Sequence, residues 1–458
     1  MAKETKTLEK KPYQLYNLPW YLFAIFAAVI LVAAYMGVLP SGMAGCFAIM
    51  IVFGTIFNEI GDHTPIVKSY LGGGAIVIIF GCAALNYFHL LPEVLNADGT
   101  VKYSLMANIN SFFKPTGAFL DFYIAALITG SILGMNRKLL MNAAARYFPA
   151  IFGGLILAFA LCSGLGALLG FGWAKALLLI ALPIMGGGMG AGATPLSKIF
   201  ETSGTMTADE ALSIMTPAVA IGNAISIVIA GVIVKILVSE KWNGKGQLMQ
   251  GGTIDPKELE ISPEMQAKRD DIKVNNLGLG LLVSCTFFAF GYIVSKIWTS
   301  LVPSVSIHAY AWMIITVAIC KITDCLPEKI EIACYQWYQF IMKNLTTALL
   351  VGIGLCYLDL NAVLESLNIT YFLLCLVTCL GAFFGAAIVG KLVGFYPVEA
   401  GITAGLCMSN MGGTGDVAVL SAAGRMELMP FAQISSRLGG AVILLLGSLM
   451  LSTMAGLL

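Results

Sequence analysis

The sequence predicts an all-α integral membrane protein with about eleven membrane-crossing helices, two re-entrant glycine-rich hairpins and two halves related as an inverted repeat. Three observations carry this expectation. The 458-residue chain is 58% hydrophobic and only 11% charged. A soluble domain carries roughly 25% charged residues, so lipid must be the solvent for most of this chain. Eleven apolar runs are long enough to cross a bilayer, at about 20 residues per span. Two glycine-rich interruptions, one in each half, follow the same pattern.

The apolar runs lie near 18–38, 43–59, 71–92, 117–136, 149–170, 207–237, 277–297, 308–325, 338–357, 368–392 and 430–457. Residues 1–17 are too polar for a cleaved signal peptide and hold Lys3, Lys6, Lys10 and Lys11, so they read as a cytoplasmic N-terminal segment. Residues 18–38 read as an extra span, 43–237 as the first repeat, 238–276 as a cytoplasmic linker and 277–458 as the second repeat. With the N-terminus inside, Lys68, Arg137, Lys138, Arg146, Lys329 and the basic residues of the linker fall on the cytoplasmic side. The opposite loops hold little beyond Lys102 and Lys114. This asymmetry predicts a multi-pass protein of the bacterial inner membrane with its N-terminus cytoplasmic and its C-terminus outside. The mixed charges of the linker read as a solvated loop and not a binding site. A net charge of +1 excludes a nucleic-acid partner, which needs a basic face. The eleven cysteines lie mostly inside apolar runs and form no Cys-x-x-Cys, so they read as small buried hydrophobes.

The interruptions are Ala181–Pro195, with Gly187-Gly188-Met189-Gly190, and Gly401–Asp416, with Gly412-Gly413-Thr414-Gly415. Each glycine costs roughly 1 kcal/mol relative to alanine in a helix, so these stretches break helices. Re-entrant loops are expected near 183–197 and 407–421. With an odd number of crossings per half, the second copy is inverted and the two breaks can meet inside the membrane. Unpaired backbone is tolerated in lipid only where it lines a polar cavity or is buried in protein. Such breaks offer amide hydrogens to anions and carbonyls to cations.

Charged residues sharpen the expectation. Arg437 stands about two turns into the last span, with no acidic residue between it and the C-terminus. A membrane-embedded arginine must find a partner, and a guanidinium holds a carboxylate through two parallel hydrogen bonds. The expected partner is a substrate carboxylate; the alternatives are a pair with Asp416 or Glu427, or snorkelling to the interface. Arg425 reads as interfacial. Loop amides of Gly187, Gly188, Gly412 and Gly413 complete the expected anion site. Cys407, Met408 and Asn410 before the second break, with Ser436 beside Arg437, offer hard oxygens suited to Na⁺. Asn223 and Ser226, three residues apart, share a helix face and offer either ion ligands or interhelical hydrogen bonds. Asp121 is a candidate proton relay or an interfacial acid. His63, His89 and His308 show no metal spacing, and Lys198 either draws in anions or is simply solvated.

The stretches 186–197 and 407–437 resemble the re-entrant motifs of the bacterial 2-hydroxycarboxylate transporter family, and the resemblance covers nearly the whole chain. It implies an elevator-type homodimer that carries citrate, malate or lactate, with Na⁺ or H⁺ as coupling ion and no other cofactor. It implies that Arg437 and Thr414 contact substrate, that Cys407, Met408, Asn410 and Ser436 form one sodium site, and that Ile184 and Gly186 give carbonyls to the other. Citrate carriers of the family have arginine where this chain has Met411 and asparagine where it has Met189. Loss of that arginine removes a partner for an additional carboxylate and favours malate over citrate. Loss of the asparagine weakens the sodium site near Met189, since thioether sulfur is a poor Na⁺ ligand. The resulting expectation is a malate carrier, not an enzyme. The readings left open are a citrate/sodium symporter, a malate/lactate exchanger and an anion channel.

Overall fold

A computed structural model describes residues 13–65, 67, 73–113, 118–135, 137, 144–250, 262–302, 308–356, 358, 360–366 and 368–457. Within them the protein is an all-α membrane protein. Seven helices are long and apolar enough to cross a membrane: Met43–His63, Tyr147–Leu168, Ala208–Ile236, Val274–Leu301, Glu328–Cys356, Ile369–Leu392 and Phe431–Met454. Shorter apolar helices run over Trp20–Tyr35, Gly74–Tyr87, Phe119–Leu133, Trp173–Ile184 and Ala309–Thr323. The sheet content is two short antiparallel hairpins. One pairs Gln14 with Pro19, and the other pairs Glu93 with Ser104 and Val94 with Tyr103.

Local chemistry sets several helix starts. Thr207 caps the Ala208–Ile236 helix in a reciprocal box: its hydroxyl accepts from the Glu210 amide, and its own amide donates to the Glu210 carboxylate at 2.8 Å. Asn368 caps the Ile369–Leu392 helix by accepting from the Tyr371 amide at 2.9 Å.

Small residues decide the closest helix packing. The Ala144–Leu168 and Ile369–Leu392 helices touch through Gly153, Gly154 and Ala158 on one side and Gly381, Ala382 and Gly385 on the other. A Cβ on Gly385 would overlap the Gly153 carbonyl oxygen, and one on Gly381 would come within 2.7 Å of Ala158 Cα. Apolar side chains gain nothing by leaving lipid for another apolar surface, so close backbone approach supplies the attraction. The Ile369–Leu392 helix in turn holds the second glycine break: Cβ atoms added at Gly401 or Gly405 would strike Phe383 or Ala382.

The described parts of the stretch expected as a linker, 238–250 and 262–276, are more than a solvated loop. Leu248 and Met249 are buried. Tyr396 and Val398 amides donate to the carbonyls of Leu248 and Trp242, at 2.8 and 2.9 Å, and Met249 bridges Phe395. Helix Pro263–Asp270 buries Arg269. Charge composition suggested solvation, but a few apolar side chains and backbone pairing tie this strap to the start of the second break.

Replacing Gly385 with alanine is expected to destabilise the protein by about 1–3 kcal/mol, the usual range for forcing a methyl group into close packing. Gly164→Ala, with nothing within 4 Å of the added Cβ, serves as the neutral control. Thermal unfolding in detergent checks this; equal melting temperatures for the two variants would contradict the packing account.

Candidate functional site

Each glycine-rich stretch is a helix, a turn and a second helix. Trp173–Ile184 ends at a turn through 185–188, and a π-helical turn Met189–Ala193 leads into Thr194–Thr202. Pro397–Ala400 and a π-helical turn Gly401–Leu406 end at a bend through 407–412, before Gly413–Ala423. Gly187, Gly188 and Gly412 have φ of +74°, +109° and +79°, a region that costs a residue with a Cβ roughly 1–2 kcal/mol.

The two bends touch backbone to backbone. A Cβ on Gly188 would lie 2.7 Å from the Met411 carbonyl oxygen, and one on Gly412 would lie 2.9 Å from the Gly187 oxygen. A Cβ on Gly187 would overlap the Ser436 carbonyl oxygen. Absence of side chains at these positions is therefore what lets residues from three distant parts of the chain converge.

Beside this contact lies a cavity of about 530 Å³. Gly187, Met189, Met411, Gly412, Ser436 and Arg437 line one side, and Asn58, Asp62 and Thr347 contribute to the rest. Arg437 sits on a π-helical turn, Ser435–Gly439, an irregularity often found at functional sites. Tyr147 steadies that turn: its hydroxyl is 2.8 Å from Ser435 Oγ and donates to the Phe431 carbonyl at 3.2 Å. The Arg437 guanidinium lies 5.9 Å from the centroid of the Tyr338 ring. Among the described residues no carboxylate stands within ion-pair distance of it.

Asp416 is instead held by neutral donors. Asn410 Nδ2 donates to Oδ1 at 2.9 Å and Ser436 Oγ donates to Oδ2 at 2.8 Å. Asn410 Oδ1 accepts from the Gly412 amide at 2.7 Å, and Asn223 Oδ1 accepts from the Met411 amide at 3.1 Å. Ser226 donates to the Ser409 carbonyl at 3.1 Å. These side chains shape the second bend.

Several sequence expectations change here. Gly188 is absent from the cavity lining, because it packs against Met411. The side chains of Asn410 and Ser436 face Asp416, which the sequence reading considered only as a possible partner for Arg437. Cys407, Met408, Ile184 and Gly186 are buried behind the cavity wall. The backbones of Gly413 and Thr414 start the Gly413–Ala423 helix; the Thr414 side chain, like that of Glu427, lies outside the described residues. Arg425 has protein partners that the sequence reading did not foresee. It pairs with the fully buried Glu399 at 3.4 Å and donates to Asn243 Oδ1 at 2.9 Å, while Gly244 and Gly246 amides also donate to Glu399. Asp121 accepts from the Tyr310 hydroxyl, away from the cavity. His308 caps a helix through the Tyr310 amide, and Lys198 pairs with Glu201 at 3.1 Å. No group of three or more metal-binding side chains occurs among the described residues.

Among the cavity residues that escaped the sequence reading are Asn58 and Asp62. Asn58 donates to Asp62 at 2.9 Å, and Asp62 also accepts from the Gly74 amide at 3.1 Å. Their spacing of four at the polar end of an apolar run was the available signal.

A model of the 2-hydroxycarboxylate transporter family matches residues 15–449. The malate transporter MleP of Lactococcus lactis is 37% identical over 432 residues, covering 94% of this chain and 96% of that protein. The citrate transporter CitP of the same subspecies is 36% identical, with 94% and 92% covered. The citrate/sodium symporter of Salmonella typhimurium is 34% identical, with 96% and 95% covered.

Removing one partner of a buried ion pair costs about 3–5 kcal/mol, so Arg425→Gln is expected to lower the melting temperature and the yield. The protein that does fold should keep its substrate KM. A raised KM with unchanged stability would place Arg425 in the binding site instead.

Proposed function

We propose that the chain, which belongs to the 2-hydroxycarboxylate transporter family, is a secondary carrier that imports a 2-hydroxycarboxylate, malate foremost, together with Na⁺ or H⁺. Arg437 carries this reading: a guanidinium in a cavity, between two helix breaks, without a carboxylate partner among the described residues. Such a group binds a carboxylate through two parallel hydrogen bonds, and the amides of the bends supply further donors. The family's members are transporters and not enzymes, so the site binds its substrate and leaves its bonds intact.

Cation coupling has its own physical support. With all three groups ionised, Arg437, Asp62 and Asp416 give the cavity wall a net charge of −1. An entering anion meets this charge in a low-dielectric surrounding, where repulsion is strong. Bound Na⁺, or protons on the acids, would cancel it. Loading therefore requires substrate and cation together, and partial loading leaves an uncompensated charge that opposes movement through the membrane. Carbonyls of Cys407 and Met408 with the Asn410 and Ser436 oxygens are the ligands assigned to one cation. Ile184 and Gly186 carbonyls are assigned to another.

Met411 on the cavity wall supports malate over citrate, since an apolar thioether offers nothing to a further carboxylate. In this reading, eleven crossings comprise one extra N-terminal span and ten that form the inverted repeat with the two re-entrant hairpins. The hairpins move as a unit with Arg437 against a dimeric scaffold, by alternating access. The N-terminus is cytoplasmic and the C-terminus outside.

Two outcomes are expected in proteoliposomes supplied with labelled malate, lactate or citrate under separate Na⁺ and H⁺ gradients. Arg437→Leu should lower malate uptake by at least about 100-fold, the scale for losing a buried charge-assisted pair. Intact malate flux would sink the proposal. Met411→Arg should shift the citrate-to-malate preference by about tenfold, roughly 1.4 kcal/mol. An unchanged ratio would remove Met411 from the specificity argument.

A further inference from the structure

A buried guanidinium, that of Arg269, stands apart from the cavity. Helix Pro263–Asp270 is clamped to the start of the Glu328–Cys356 helix by Gln336. Its Nε2 donates to the carbonyls of Lys268, Arg269 and Asp271 at 3.3, 3.1 and 2.9 Å, and its Oε1 accepts from Asn276 at 3.0 Å. This clamp drives Arg269 inward until it is 4% exposed. Its Cζ lies 4.6 Å from the centroid of the Tyr335 ring. Its Nε and Nη1 are buried without a hydrogen-bond partner.

Among the described residues the buried charges around Arg269 do not balance. Lys321 pairs with Glu331 at 2.7 Å, with both side chains largely buried. That leaves two buried cations, Lys321 and Arg269, to one carboxylate. Arg137 and Asp324 satisfy each other at 2.9 Å on the surface. Burial pushes the Arg269 pKa down, and the charge of Arg437 adds to that push against the opposing pull of Tyr335 and Glu331. A guanidinium stays protonated nonetheless, so the local surplus is positive charge seeking an anion.

A pair of tyrosine rings stands between the surplus and the cavity wall. The Tyr335 and Tyr338 rings lie 6.4 Å apart, and Arg437 faces the Tyr338 ring at 5.9 Å. The two guanidiniums thus stand at opposite ends of a tyrosine pair, one on the linker and one in the cavity wall. An uncharged side chain could fill the Arg269 site without the penalty of an unpaired buried charge.

We propose that Arg269 is a second carboxylate-binding residue, a staging site where an anionic substrate pauses between Arg437 and the solvent on the linker side. The ligand class is a carboxylate held bidentately over Tyr335, which a guanidinium provides and an ammonium does not. The inference rests on the reading of Arg437 as the transported anion's main contact.

The test uses full-length protein in proteoliposomes of known orientation, with malate KM measured separately from each side. Arg269→Gln should raise the linker-side KM by about tenfold and leave the opposite-side KM within about twofold. Arg269→Lys, which keeps the charge and the fold but loses the bidentate geometry, should raise the linker-side KM by a smaller factor and serves if the Gln variant does not fold. An equal shift on both sides, or no shift on either, overturns the staging site. Failure of the underlying reading looks different: Arg437→Leu would then transport malate normally from both sides, whatever Arg269 does.

Discussion

A guanidinium cannot rest among apolar side chains without a counter-charge. Placing arginine at the centre of a membrane helix costs at least about 2.5 kcal/mol on insertion scales. Arg437 lines the cavity with its guanidinium 5.9 Å from the Tyr338 ring centroid, while Asp416, also on the cavity wall, takes its hydrogen bonds from Asn410 and Ser436. The acid that might have neutralised the arginine is itself occupied with shaping the binding bend. That division leaves Arg437 without an ion pair among the described residues.

The rest of the architecture serves to build a polar pocket in an apolar surrounding. Backbone amides and carbonyls can be exposed there only if other protein covers them. The two glycine bends cover each other, in a contact that no side chain at 187, 188 or 412 would allow. Outside this contact, Tyr147 braces the turn that carries Arg437, and the Glu399–Arg425–Asn243 cluster ties the linker to the root of the second bend. Residues 238–250 thereby act as a strap on the site, and helix Pro263–Asp270 places Arg269 against Tyr335.

Legibility of the chain followed the range of the interactions. Apolar runs are local, so helix positions could be read from composition and length alone. The glycine bends were legible because their pattern occurs twice. Arg437 was legible because a cation in an apolar run has few explanations. Asp62 was not, because one acid at the end of a run looks like a water-facing helix end until the Gly74–Tyr87 helix closes over it. The partner of Arg425 was hidden for the opposite reason: Glu399 is 26 residues away in sequence and becomes its neighbour only when the second bend folds. Arg269 looked solvated because its immediate sequence is charged, and Gln336, 67 residues away, turns it inward.

By itself the sequence determined a multi-helix membrane protein with two helix breaks, an uncompensated arginine near one of them, and membership of a transporter family. These depend on composition and on short patterns, which survive without knowledge of the fold. Only tertiary structure decided that the breaks nest against each other, that Asn410 and Ser436 converge on Asp416, and that the linker folds back to clamp Arg425 and Arg269. Those facts depend on which side chains share a low-dielectric neighbourhood. Sequence separation carries no information about that once the chain has doubled back on itself.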